Sequence, residues 1–228
     1  MAATSTLRVA GVAGYEGGLG RHADSSTLDA VAGYCGALRK LAGILHENGI
    51  GAGEQIISAG GSAFFDVAVR ELSTGWAPDF RPTVVLRSGA YLTHDDGFYA
   101  GISPIARNAA GALSLQPALR LWAQVLSRPE PELALLAAGR RDVSFDEGLP
   151  VPVRIRRRDG SSATAADMAV TALNDQHAYL RVPADRGLAP GDLVCLGISH
   201  PCTTFDKWRV IPLVDGEDRV IDAVHTFF

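Results

Sequence analysis

The feature that most constrains this 228-residue chain is a change of period near its middle. The stretches 7–13 (LRVAGVA), 55–59 (QIISA) and 83–86 (TVVL) are short apolar runs of strand length. Between the first two, Leu28, Val31, Cys35, Leu38, Ala42 and Leu45 recur at three- and four-residue intervals. That spacing predicts one apolar face of a helix running to about His46. Asp24, Ser25 and Ser26 are its candidate N-caps, and Asn48-Gly49 is a good stop. A shorter helix is expected over 64–72. Strands joined through helices pair in parallel.

Beyond Pro117 the helical repeats end. Strand-like runs at 117–126, 151–156, 177–182 and 192–196 are separated by Pro, Gly and Asp, and LAPGD (188–192) is a turn signal. WRVIPLV and RVIDAVHTFF read as two strands around the turn DGED. The expected fold is therefore α/β followed by all-β, with the boundary near Gly111 to Gln116 and domains over 1–113 and 114–228. The first part is incomplete as a closed (β/α)8 barrel. That fold needs roughly 250 residues, about 30 per unit, so about five units are missing beside the three present.

Bulk properties exclude several classes. A net charge of −4 gives no electrostatic reason to expect nucleic acid. No apolar run approaches the roughly 18 residues of a membrane helix, and the first residues lack a signal-peptide core. Three cysteines make a disulfide framework a poor reading, so a reducing, cytoplasmic setting is expected.

Four stretches carry candidate chemistry. SAGGSAFF (58–65) sets Gly60, Gly61 and Ser62 between a strand and a helix, where free N–H groups suit a phosphate; a plain tight turn would use the same residues. GYEGG (14–18) ends the first strand, so Tyr15 and Glu16 face either a cofactor ring or solvent. In LRSGAYLTHDDGFY (86–99), His94, Asp95 and Asp96 are either metal ligands or a locally bonded polar turn. In HPC, His200 and Cys202 stand two apart. On an extended chain they would share a side, and an imidazole with a thiolate favours zinc over calcium or magnesium. A turn with a buried cysteine is the alternative, and Asp206 is a weaker third ligand. Cys195 has apolar neighbours and reads as core. Lys207 and Arg209 read as a solvated edge.

The order GYEG, SAGGS, LRSGAYLTHDDGFY, RRDVSFDEGLP and GDLVCLGISHPCTTFDKW resembles the D-serine dehydratase and D-threonine aldolase group, including its amino acid deaminase-like members. These are pyridoxal-phosphate (PLP) enzymes of the alanine racemase fold type. The resemblance covers nearly the whole chain and is most specific at HPCTTFDKW. It implies the C-terminal part of a PLP-binding barrel followed by a β domain, a small D-amino acid substrate, and a homodimer in the full-length family. It implies that Gly60, Gly61 and Ser62 hold the PLP phosphate, that Tyr15 lies near the cofactor ring, and that His200 and Cys202 bind zinc. The implied reaction removes the α-proton and β-hydroxyl and ends in a keto acid and ammonia. Aldolase relatives tend to carry a carboxylate where Cys202 stands, so the cysteine favours a zinc-dependent deaminase; a manganese-type aldolase is the alternative.

One departure is large. The family's Schiff-base lysine lies on the first barrel strand, whereas this chain has only Lys40 and Lys207, each in the wrong context. The chain therefore reads as a C-terminal portion, from a truncated gene, a split enzyme or a fragmentary gene model. A non-catalytic remnant, or a module pairing with a separate chain, are the alternatives to an active enzyme.

Overall fold

The computed structural model describes residues 6–51, 53–108 and 113–227. The chain divides into two compact units, 1–92 with 102–115, and 93–101 with 116–228. Gly111, at the expected boundary, lies outside the described residues.

In the first unit, β1 (Gly11–Ala13), β2 (Ile56–Ala59) and β3 (Thr83–Leu86) form a parallel sheet in that order. The register sets Val12 beside Ile57 and Ile57 beside Val84. Helix α1 (Ser25–Glu47) joins β1 to β2. The Asp24 side chain accepts from the Thr27 N–H at 2.8 Å and caps its start. Asn48 caps its end, and Gly49 follows at φ 63°, a backbone conformation suited to glycine. Val31, Cys35, Leu38 and Ala42 are buried, so the predicted apolar face is the packed one. Helix α2 (Phe65–Leu72) joins β2 to β3, and its Val67, Ala68 and Leu72 are buried. A 3-10 turn at Ala90–Leu92 follows β3; α3 (Phe98–Ile102) and α4 (Pro104–Arg107) come after it. Arg107 bonds the Ala63 and Ile102 carbonyls at 2.7 and 2.6 Å and pairs with Asp66.

The second unit is built on a seven-stranded antiparallel sheet. Its strands are β4 (Arg120–Glu130), β5 (Leu133–Leu136), β6 (Val151–Arg156), β7 (Ser162–Thr164), β8 (Ala169–Leu173), β9 (Ala178–Arg181) and β10 (Leu193–Gly197). They lie in the order β7-β6-β10-β4-β5-β9-β8. The long β4 carries the curl: residues 120–124 pair with β10, and its register with β5 shifts twice between Val125 and Glu130. Val125, Leu136, Ile155, Leu180, Leu196 and Ile198 fill the core behind it. After β10 comes α5 (Pro201–Phe205), then the hairpin of β11 (Val210–Val214) and β12 (Val220–His225). Asp218, in the hairpin turn, accepts from both Arg154 and Arg156, whose guanidinium groups also lie 4.9 and 4.7 Å from the Trp122 ring centroid. No helix among the described residues is long and apolar enough to cross a membrane.

Candidate functional site

Chemistry-bearing groups gather at one place in each unit. In the first, β1 and β2 run parallel and deliver their following loops to the same end of the sheet. Tyr15 is exposed, but its ring lies against Gly17 and Gly61: a Cβ added at Gly61 would meet Tyr15 Cε2 at 3.1 Å and Glu16 Oε1 at 3.3 Å. Glu16 is 0% exposed, not solvated. Its Oε2 accepts from the Gly60 N–H at 3.1 Å and its Oε1 from the Gly61 N–H. Gly60 has φ 97°, the left-handed half of an anion-holding nest. The carboxylate of this chain therefore already sits on the two amides that the sequence assigned to a phosphate. Ser62 is placed differently. Its Oγ accepts from the Gly89 and Ala90 N–H groups at 3.2 and 3.0 Å, and an accepting hydroxyl keeps its own proton to donate. Tyr15, Gly60, Gly61 and Ser62 are thus brought together, with Gly89 and Ala90 as additional members. The signal for those two was RSGA, a glycine loop directly after a strand.

In the second unit, His200 ends the loop after β10 and Pro201 opens α5. A residue before proline is driven out of the helical region, and His200 is extended at φ −151°, ψ 99°. Proline supplies the fixed φ of a first helical residue and lacks an N–H that would be unpaired there. Cys202 is therefore helical, and the expected extended chain at i and i+2 is corrected to a strand-to-helix corner. The corner still keeps the two side chains within electrostatic reach: the thiol raises the imidazole and the imidazole lowers the thiol. Nδ1 of His200 also lies 2.6 Å from Asp146 Oδ2, and Asp146 Oδ1 accepts from Thr203 Oγ1 at 2.8 Å. Sequence reasoning missed Asp146, although it lies in RRDVSFDEGLP; no spacing rule links positions 54 residues apart.

The electrostatics follow from these bonds. The Cys202 thiol and the Asp146 carboxylate hold the His200 imidazole in its charged form, up to about 9, against burial. The imidazole lowers the Cys202 thiol from its ordinary value, also against burial. Burial opposes the charge on Asp146, but the bonds from Thr203 and His200 outweigh it and keep the carboxyl below its usual range. The same corner is packed tightly from behind. Asp96 N–H donates to the Ile198 carbonyl at 2.9 Å, and a Cβ on Gly97 would meet Ser199 Oγ at 2.2 Å and Cβ at 2.8 Å. Thr204 Oγ1 bonds Ser144 Oγ at 2.9 Å and the His200 carbonyl at 3.2 Å.

His94, Asp95 and Asp96 are not gathered as ligands. Asp95 accepts from the Gly97, Tyr99 and Ala100 N–H groups, and Asp96 pairs with Arg120. His94 is buried at φ 50°, and its Nδ1 has no hydrogen-bond partner, so the local bonds of this polar turn are those of Asp95. Among the described residues no cluster of three or more His, Cys, Asp and Glu is arranged to hold a metal ion, so Asp206 does not complete a set with His200 and Cys202. Cys195 is buried, as expected. Lys207 lies 5.7 Å over the Phe145 ring, and Arg209 is exposed.

The geometry meets the comparisons at this point. Residues 118–214 match a family model described as "Putative serine dehydratase domain". The matched stretch lies within the second unit. In fold, the chain is similar to the D-threonine aldolase from Filomicrobium marinum, at 23% identity and TM-score 0.68, over 95% of this chain and 53% of that one. It is also similar to D-threo-3-hydroxyaspartate dehydratase from Delftia sp. HT23, at 17% identity and TM-score 0.62, over 95% of this chain and 56% of that one. An alanine racemase-like protein from Idiomarina loihiensis aligns at 17% identity and TM-score 0.61, over 92% and 53%. No curated protein sequence matches the chain. The chain thus spans about half the length of the solved structures it matches. The resemblance read from the sequence and the α/β-then-β architecture hold, as a C-terminal portion.

Proposed function

We propose that this chain is the part of a D-amino acid β-eliminating lyase that holds the PLP phosphate and a zinc ion. The observation that carries the reading is the His200–Cys202 pair with Asp146 on the far imidazole nitrogen. Two soft-to-borderline donors meet at one corner, one of them a thiol already shifted toward thiolate, and that donor set suits zinc. A carboxylate on the second ring nitrogen is the usual support of a metal-binding histidine; it fixes the tautomer and orients the ring. Bound there, zinc would supply Lewis acidity toward a departing hydroxyl. With two protein ligands, positions would remain open for water and substrate. His200 and Cys202 hold the ion, Asp146 aims the imidazole, and the Ser199–Gly97 contact keeps the corner from swinging.

For PLP the residues fit in part. The Gly60 and Gly61 amides are engaged by Glu16 and do not fit a second anion. The Ser62 hydroxyl accepts from the Gly89 and Ala90 amides and has its own proton left to donate to a phosphate oxygen. PLP would supply an electron sink at the substrate α-carbon. The exposed Tyr15 ring beside Gly61 offers a surface for the flat face of the pyridine. Three free cysteines suit a reducing, cytoplasmic setting. The amine that anchors PLP is not provided here: Lys40 is exposed on α1, and Lys207 lies over Phe145. On this reading the chain alone releases no keto acid from D-serine. The alternative, an aldolase acting on a β-hydroxy D-amino acid, needs the same phosphate and metal groups; Cys202 in place of a harder ligand favours elimination.

The test is zinc titration of the purified chain against a chromophoric chelator. One ion bound by the wild type and lost in both His200→Ala and Cys202→Ala supports the reading. Zinc retained in Cys202→Ala would reduce HPC to a turn.

A further inference from the structure

On the face of the β sheet turned away from its core, a buried thiol lies under charged side chains. Cys195 is 2% exposed, yet it is its β10 neighbours Val194 and Leu196 that belong to the core. Side chains alternate along a strand, so Cys195 takes the outer face. The register sets it between Arg154 of β6 and Trp122 of β4 in one cross-strand row. Trp122 is two strand spacings from Arg154, roughly 10 Å. The Arg154 guanidinium nevertheless lies 4.9 Å from the Trp122 ring centroid, and that of Arg156 4.7 Å, so both side chains cross β10 and roof the thiol. Two guanidinium groups over one ring repel each other. A single carboxylate oxygen, Asp218 Oδ2, accepts from both, from Arg154 at 2.7 Å.

Asp218 comes from the turn of the β11–β12 hairpin. Among the described residues these two strands pair only with each other, and every residue of β12 is exposed. A lone two-stranded hairpin is marginal in water. At its base a cavity of about 140 Å³ lies among Leu119, Leu121, Ile198, Trp208, Ile211 and Pro212, so packing there is loose. We propose that Asp218 is a latch: it closes the hairpin on the outer face of the sheet and, by holding Arg154 and Arg156 together over Trp122, seals Cys195 beneath them. The Asp218 side chain is 25% exposed, so salt screens this three-group cluster less than an open surface pair, but still reaches it. Released, the hairpin lifts and the two like charges part, while the strands behind them stay paired.

Cys195 is the reporter. Its alkylation by iodoacetamide in the full chain is followed by mass mapping at one fixed pH. At low salt the wild-type thiol should barely react, and the rate should climb as sodium chloride approaches about 1 M, where the screening length is about 3 Å. Asp218 sits at φ 60°, a backbone region that Asn also tolerates, so Asp218→Asn keeps the turn and removes the charge. That variant should raise the Cys195 rate roughly ten- to hundredfold, the scale of one lost charge-assisted hydrogen bond, and remove the acceleration by salt. Hydrogen exchange of β5 and β9, on the other side of β4 in the sheet, should stay slow, which separates a lifted hairpin from an unfolded sheet. An unchanged Cys195 rate in Asp218→Asn would overturn the proposal, as would a rate that rises only together with exchange in β5 and β9. If Asp218→Asn does not fold, the wild-type salt series decides: a rate indifferent to salt overturns the latch.

Discussion

Nδ1 of His200 and Oδ2 of Asp146 are 2.6 Å apart, so one ring nitrogen is spoken for and Nε2 is left as the one able to ligate. This pairing makes Asp146 a test of the metal reading. Asp146→Asn keeps the shape but loses the charge that orients and polarises the imidazole. Zinc affinity should fall by roughly 10- to 100-fold, the usual effect of removing such a partner. Chelator competition measures it, with the melting temperature as a control. An unchanged affinity would place the carboxylate outside the metal's support.

The thiol and the imidazole give a pH prediction that needs no metal. The folded Cys202 titrates below its ordinary value of 9.0 because the imidazole favours the thiolate. Its alkylation by iodoacetamide should therefore stay fast as pH falls below that value. In His200→Ala the midpoint should move back up. Cys35 and Cys195 are buried with raised values and should stay silent in the folded protein, so mass mapping isolates Cys202. In the same metal-free protein, the His200 ring should remain protonated up to about 9 by NMR, and less far in Cys202→Ala. The two groups titrate as a pair, so each variant reports on both.

Gly97 packs its hydrogen against Ser199, one residue from His200. Gly97→Ala places a methyl 2.8 Å from Ser199 Cβ and 3.2 Å from its Cα. Those atoms belong to the loop itself and cannot rotate away. The substitution should cost about 1–3 kcal/mol in chemical denaturation. It should also weaken zinc binding while Gly101→Ala, in open space, leaves both alone.

Stability of the second unit rests on the curled sheet. Leu136 and Leu180 are fully buried in its core. Either Leu→Ala change should destabilise by about 2–5 kcal/mol in urea unfolding. Val220→Ala, on the exposed hairpin, should stay within about 0.5 kcal/mol.

Much of the fold was legible because it is written in local pattern. The α1 face of Val31, Cys35, Leu38 and Ala42 needs only a 3.6-residue period to be seen, and Asn48-Gly49 marks its end. β5, β7 and β8 were missed because they are only three to five residues long; Ser162 and Thr164 join a sheet only because β6 is beside them. Strand β1 is shorter than the apolar run that suggested it. At the candidate site, His200 and Cys202 were legible as a pair, but their geometry was not. The expected extended chain fails at Pro201, which is the first residue of a helix. Asp146 and Glu16 were out of reach for a common reason. Each makes its decisive bond to residues more than forty positions away, and such contacts leave no periodicity behind.

The strap 93–101 has a consequence for how this fold can be inherited. It is interrupted in sequence from the rest of its unit by residues 102–115, yet Asp96 and Gly97 clamp the very loop that carries Ser199 and His200. A gene segment starting at Gln116 would encode every strand of the β unit and leave its His200 corner without a backing. Shuffling the β unit as a cassette would lose that support, so the segment upstream must travel with it.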